Sequence, residues 1–221
     1  MTSIGVIDYG MGNLHSLAKA LEKVAPQIAP SARVVVSADP AALAACQRLV
    51  LPGVGGVRAC MDELQQRGLD AFVRDAATRV PLLGICLGMQ VLLDTSRENG
   101  GVAALGIIPG SVERFPDPPP AAAGEQRLKV PEMGWNRVRQ ARAHPLWAGI
   151  EDGCRFYFVH SYYAAPTRPA DTLGVTEYGR DFASAIGRDN IAGVQFHPEK
   201  SQAAGLRLLA NFVSWNGETQ P

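Results

Sequence analysis

Apolar positions along this chain follow two alternating rhythms. Residues 4–8 form a short apolar run of the kind a buried strand shows, and Leu14, Leu17, Ala18 and Leu21 then recur at helical spacing. Residues 33–37 and 48–51 predict a second and a third strand, and helical spacing carries the chain through residues 57–79. The apolar run that opens at Val80 predicts a fourth strand, buried on both faces, and residues 87–93 return to helical spacing. Such alternation argues for a parallel sheet covered by helices on both faces.

After Glu98-Asn99-Gly100-Gly101 the rhythm changes to short β-like runs at residues 111–115, 135–138, 155–159 and 172–177. Residues 182–186 and 191–196 flank Gly187-Arg188-Asp189-Asn190, a hairpin signal. The proline- and alanine-rich stretch 116–124 predicts a surface loop, and residues 201–215 a closing helix with Ala204, Leu208, Leu209, Phe212 and Trp215 on one side. The expectation is a single α/β domain over residues 1–221, with a mostly parallel central sheet and additional antiparallel strands in its C-terminal half. No repeats are visible.

Composition removes several classes of function. With 47% apolar residues the chain can bury a sizeable core. Lysine plus arginine and aspartate plus glutamate both count 21, and no basic run occurs, so the footprint of a nucleic-acid binder is missing. No stretch is apolar for long enough to span a bilayer, and the first residues lack the pattern of an export leader. The four cysteines include no Cys-x-x-Cys pair; Cys46, Cys60 and Cys154 read as small buried hydrophobes. A reduced, cytoplasmic chain without membrane, nucleic acid, metal or cofactor is expected.

Chemistry concentrates where predicted strands end. Tyr9-Gly10-Met11-Gly12-Asn13 is a glycine-rich turn at the carboxyl end of the first strand, the edge where open α/β sheets bind ligands. A dinucleotide site would want a third glycine where His15 stands. Asn13 either caps the following helix, the plainer reading, or faces a ligand or partner. Pro52-Gly53-Val54-Gly55-Gly56 ends the third strand with a backbone that can turn N–H groups inward and flip a peptide plane at little cost. Gly84-Ile85-Cys86-Leu87-Gly88 has the form of a nucleophile elbow with sulfur at its tip. The flanking glycines let strand and helix backbones approach closely, and the helix N-terminus favours a thiolate. Taken alone, this pattern fits a buried structural cysteine beside a tight turn equally well, so a base decides.

Gly193-Val194-Gln195-Phe196-His197-Pro198-Glu199-Lys200 supplies one. A residue before proline is pushed into an extended conformation, and in an extended segment residues two apart share a side. Glu199 can then hold one nitrogen of His197 and leave the other for Cys86, giving nucleophile, base and orienting acid.

These residues carry a resemblance. Gly84-Ile85-Cys86-Leu87-Gly88-Met89-Gln90 together with His197-Pro198-Glu199 resembles the class I glutamine amidotransferases. The Tyr9–Asn13 and Pro52–Gly55 turns, Met133-Gly134-Trp135-Asn136, and Tyr157-Phe158-Val159-His160-Ser161-Tyr162 narrow the likeness to the glutaminase subunits of imidazole glycerol phosphate synthase. Glu132 departs from that pattern, which more often has histidine or glutamine there, and it adjoins a motif that the resemblance assigns to a partner interface.

The resemblance implies L-glutamine as substrate and Cys86, His197 and Glu199 as catalytic residues, with no cofactor. It implies an oxyanion hole from the backbone of Leu87 and of Gly53 or Val54, with Gln90, Glu98 and Gly53 at the substrate. It also implies a heterodimer with a (β/α)8 cyclase subunit that uses the ammonia to make imidazole glycerol phosphate and aminoimidazole carboxamide ribonucleotide in histidine biosynthesis. Asn13, Trp135, Tyr157 and Lys200 are then expected at the interface. Rival readings are the glutaminase subunit of another synthase, such as pyridoxal phosphate synthase, a peptidase or γ-glutamyl hydrolase acting alone, and a non-catalytic docking subunit.

Overall fold

The computed structural model describes residues 2–116 and 128–218. Its first half builds a parallel sheet from β1 (Ser3–Ile7), α1 (Leu14–Ile28), β2 (Arg33–Ser37), α2 (Pro40–Ala44), β3 (Arg48–Leu51), α3 (Val57–Gln66), α4 (Leu69–Ala76), β4 (Leu82–Ile85) and α5 (Leu87–Gln90). The second half adds β5 (Thr95–Ser96), β6 (Val102–Ala103), β7 (Gly110–Arg114), β8 (Glu132–Arg137), β9 (Arg139–Gln140), β10 (Arg155–His160), β11 (Tyr162–Pro166), β12 (Thr172–Glu177), β13 (Asp181–Arg188), β14 (Ile191–Val194) and α6 (Gln202–Ser214).

The main sheet runs β2-β1-β3-β4-β14-β13-β11-β7-β5-β6, with β12 and β9 attached beside β13. From β2 to β14 every pairing is parallel, in the register Val6↔Val50, Val50↔Leu83 and Gly193↔Gly84. The step from β14 to β13 is antiparallel, around the Asp189-Asn190 turn. Helices cover both faces of the parallel part. On one, Leu17, Leu21 and Val24 of α1 join Leu208, Leu209 and Phe212 of α6 against Ile4, Val6, Leu83 and Ile85. On the other, Met61 and Leu64 of α3 and Leu69 and Val73 of α4 pack with Ile7, Leu49, Leu51 and Leu82. Alternate residues of one strand thus enter opposite layers, so the central strands read as unbroken apolar runs. β8 and β10 form a separate antiparallel pair, Trp135 opposite Tyr157, whose inner residues Phe156 and Phe158 meet Phe196.

Two helical expectations are corrected. The spacing over residues 57–79 breaks into α3 and α4 because Gly68 takes a left-handed φ of 67°. The helix expected over residues 87–93 ends at Gln90. The N–H groups of Leu105, Gly106 and Ile107 dock on the carbonyls of Val91, Leu93 and Leu92, capturing acceptors that a longer helix would use. Most of the proline-rich stretch lies outside the described residues. Among the described residues, no helix is long and apolar enough to cross a membrane.

The cysteine expectation is met at Cys46 and Cys60, both buried, while Cys154 is only partly so. Burial pushes the Cys60 thiol up to about 11.

His144 gives the fold an acid-sensitive point. Its Nδ1 accepts from the Leu146 N–H at 3.2 Å, and its buried Nε2 has no hydrogen-bond partner among the described residues. Burial, and secondarily the Arg142 charge, lowers its pKa from 6.5 to about 4. Between those values the unfolded chain binds the proton and the folded one does not, so stability rises with pH through that window and is fully present above 6.5. Urea midpoints should fall as the pH drops from 6.5 toward 4, with a shallower fall in His144→Leu. An equally steep fall in that variant would assign the acid limb elsewhere.

Candidate active site

Cys86 sits between β4 and α5 with φ 55° and ψ −111°, a conformation that an L-residue holds only under constraint. Packing supplies the constraint. A Cβ at Gly84 would lie 2.6 Å from the Gly88 carbonyl oxygen, and one at Gly88 would lie 1.8 Å from that of Leu51. With those Cβ atoms absent, the strand turns at once into the helix. The Cys86 N–H donates to Val194 O at 2.8 Å, and its carbonyl accepts from Met89 and Gln90. Its Sγ lies 4.0 Å from the Val159 carbonyl oxygen and 3.8 Å from Gln195 Nε2.

His197 is extended, as expected before proline, with φ −99° and ψ 98°. The extended path stops there. Pro198–Lys200 forms a 3-10 turn, because the fixed φ of proline suits the first helical position, and Lys200 N–H returns to His197 O at 3.0 Å. The turn achieves what extension was expected to do: Glu199 Oε1 lies 2.9 Å from His197 Nδ1, with both side chains buried. The His197 backbone is clamped as well, its N–H donating to Tyr157 O at 2.9 Å and its carbonyl accepting from Ser201 Oγ at 2.6 Å. Burial alone would depress the ring's basicity. Hydrogen bonding and charge from Cys86 and Glu199 outweigh it and raise the His197 pKa from 6.5 to about 9.

Cys86 and His197 share a cavity of about 370 Å³ with Val54, Leu87, Gln90 and Glu98. Leu87 opens α5, so its N–H has no acceptor within the helix. Gly53 lies against it. A Cβ at 53 would sit 2.9 Å from Leu87 Cβ and 2.6 Å from the Tyr9 hydroxyl. The loop that follows is pinned at both ends. Tyr9 Oη donates to Pro52 O at 2.9 Å, and Glu98 Oε2 accepts from the Val57 N–H at 2.7 Å. Burial pushes the Tyr9 phenol far up, keeping it a donor. Glu98 therefore caps α3 while lining the cavity, a double placement that the sequence did not signal.

Gln90 also lines the cavity, but its Nε2 is committed inward, to Tyr162 O at 2.9 Å and Gln195 Oε1 at 3.0 Å. Asn13 precedes α1 without a side-chain cap bond, which corrects the plainer reading of it. It borders a small cavity of about 10 Å³ with Gly53, His197 and Glu199. Trp135 is 42% exposed and Met133 66%, so neither is a core residue. Trp135 packs edge-on to Tyr157 at 6.0 Å, and Lys200 Nζ lies 5.9 Å from the centre of that ring. Lys200 reaches the cavity wall; Trp135 and Tyr157 do not.

Glu132 adjoins the exposed stretch of β8 without joining it. It points inward and is buried, 3.0 Å from His160 Nε2, while Asn136 Nδ2 donates to it at 2.8 Å. Strand alternation puts it on the face opposite Met133 and Trp135. Gln195, Tyr9 and Ser201 were missed as site residues. Gln195 carried a signal, a polar residue inside the apolar run 191–196.

The chain matches the family model "Glutamine amidotransferase class-I" over residues 5–215. It belongs to the class I glutamine amidotransferases. Within this class it is similar to imidazole glycerol phosphate synthase subunit HisH of Methylococcus capsulatus, with 56% identity over 97% of each chain. The HisH 1 subunit of Pseudomonas aeruginosa is 52% identical over 98% of this chain and 99% of its own. At lower identity the fold alone is shared. The glutaminase domain of Trypanosoma brucei CTPS, solved with bound acivicin, has a TM-score of 0.62 at 18% identity, covering 100% of this chain and 98% of that one. A glutamine amidotransferase from Thermotoga maritima has a TM-score of 0.58 at 18% identity, covering 90% of this chain and 76% of that one. The expected fold of this class, a parallel centre with antiparallel additions, is the one found.

Proposed function

We propose that this amidotransferase chain is the HisH-type glutaminase subunit of an imidazole glycerol phosphate synthase, acting as one domain over its whole length. The observation that carries the reading is the meeting, in one cavity, of a strained elbow cysteine and a histidine held by a buried glutamate. Cys86 attacks the side-chain carboxamide carbon of L-glutamine. The oxyanion is taken by the Leu87 N–H and by one from the Gly53–Val54 segment, each such donor worth about 3–4 kcal/mol. Protonated His197 gives its proton to the departing ammonia while Glu199 holds the ring. Water then opens the thioester to glutamate, its proton passing back to His197. Glu98, and Gln90 where its network allows, face the amino-acid end of the substrate.

In water at neutral pH the ammonia would be protonated and lost as a nucleophile. A (β/α)8 cyclase subunit, docked as a heterodimer on the exposed Met133 and Trp135 of β8 with Tyr157, Lys200 and Asn13 nearby, receives it under shelter and forms imidazole glycerol phosphate and aminoimidazole carboxamide ribonucleotide. An exposed apolar patch of this kind calls for a partner. The need for a reduced thiol fits a cytoplasmic setting. No cofactor enters this scheme.

The test is glutamate release from glutamine by the purified chain, alone and with the cyclase subunit and its nucleotide ligand. Weak activity alone and a large rise with both is expected. Strong activity alone would make the chain an independent hydrolase; complex formation without activity would leave only docking.

A further inference from the structure

Gln195 is fully buried, and no step above uses it. A buried carboxamide must find partners, and here the partners fix which way it points. The Tyr162 carbonyl oxygen can only accept, so the Gln90 atom 2.9 Å from it is the nitrogen. That nitrogen lies 3.0 Å from the Gln195 side chain, which must meet it with its oxygen. The Gln195 nitrogen is left facing Cys86 Sγ at 3.8 Å. Both ends of the chain of bonds are anchored: the Gln195 backbone N–H donates to Ser184 O at 2.9 Å, and His160 Nδ1 lies 2.8 Å from the same Tyr162 oxygen.

We propose that Gln195 is a further catalytic residue: its side-chain N–H, aimed by Gln90 and the Tyr162 carbonyl, donates to the Cys86 sulfur and favours the thiolate over the thiol. The proposal rests on the reading of Cys86 as the nucleophile. A donor directed at the charged form of an acid stabilises that form, and more strongly in a buried site than in water. His197 gives its proton away in each turnover; Gln195 has none to give, so its donor remains when thioester hydrolysis returns the thiolate. Gln90 acquires a role independent of substrate, that of holding Gln195 in the productive orientation.

The experiment is iodoacetamide labelling of the whole chain, with the Cys86 peptide followed by mass spectrometry from acid to alkaline pH. Gln195→Glu keeps the volume and the acceptor for Gln90 but replaces the donor with an oxygen; Gln195→Met removes both. At neutral pH both variants should label Cys86 roughly tenfold more slowly than the native chain, since a hydrogen bond to a charged group is lost. The methionine variant should converge with the native rate in alkali. Gln90→Leu should slow labelling partially, and adding it to Gln195→Met should slow labelling no further. Native labelling rates at neutral pH in both Gln195 variants would overturn the proposal, and fully additive slowing would overturn the part given to Gln90. Should the methionine variant fail to fold, the near-isosteric glutamate variant decides alone. Labelling does not depend on glutamine turnover. Expected labelling without glutamate release under any condition would sink the glutaminase reading and leave Gln195 standing, and the reverse outcome would do the opposite.

Discussion

His197→Ala lowers glutamine hydrolysis by the assembled, ligand-stimulated enzyme by at least about 10⁴-fold, Cys86→Ala lowers it as far, and the double variant loses no more than the worse single one. The expectation follows from how the groups are joined. Without His197 the departing ammonia loses its proton donor and the Cys86 sulfur its charged neighbour, and without Cys86 there is no intermediate for His197 to protonate, so either loss removes the same step. Glu199→Gln tests the third member. It preserves the shape of the buried pair but replaces the carboxylate oxygen 2.9 Å from His197 Nδ1 with an amide, and should cost roughly 10³–10⁴-fold. The measurement is kcat/KM for glutamate release with saturating cyclase and nucleotide. Independent, multiplying losses would mean that the three do not act as a unit.

The same pair carries a pH signature. The folded pKa of His197, about 9, lies above its ordinary 6.5, so its contribution to stability is fully present below 6.5 and is lost as the pH rises through 9. Deprotonation also removes the acid that ammonia departure needs. Activity should therefore fall on the alkaline side over the same interval, and Glu199→Gln should move that limb toward neutrality.

The parallel half of the fold was legible because its strands are short apolar runs followed within a few residues by glycine, proline or aspartate; β2 and β3 have the bounds expected of them. What stayed hidden depends on atoms distant in sequence. Nothing near Leu93 announces that the N–H groups of residues 105–108 will take the carbonyls after Gln90. Gly68 sits inside a good helical pattern, and only its left-handed backbone divides it. Cys86, His197 and Glu199 were legible because each chemical demand falls within a few residues: glycines flanking the sulfur, a proline between base and acid. Glu132 adjoins the exposed Met133-Gly134-Trp135 stretch in sequence, but alternation along β8 sends it to the opposite face. Gln195 was overlooked because its role exists only once Gln90, 105 residues away, is packed against it.

Gly88→Ala is the second large effect, and it should remove stability and activity together. Its new Cβ would stand 1.8 Å from the Leu51 carbonyl oxygen and 2.8 Å from the Leu51 carbonyl carbon, main-chain atoms at the end of β3 that no rotamer change can move aside. Relief requires β3 and the elbow to separate. Overpacking of this kind costs about 3 kcal/mol or more when the neighbour is backbone. The same separation carries Pro52 and Gly53 away from Leu87, widening the gap between the two proposed oxyanion donors. Gly68→Ala is the control. It imposes an unfavourable backbone at φ 67° but its Cβ meets no atom of the described residues within 4 Å, and Gly68 does not line the cavity. It should cost about 1–2 kcal/mol and leave glutamate release per folded complex unchanged. Urea unfolding and turnover normalised to folded complex separate the two effects. A Gly88→Ala chain with native stability and native turnover would mean that β3 and the elbow do not touch through Gly88, and the oxyanion geometry built on that contact would fall with it.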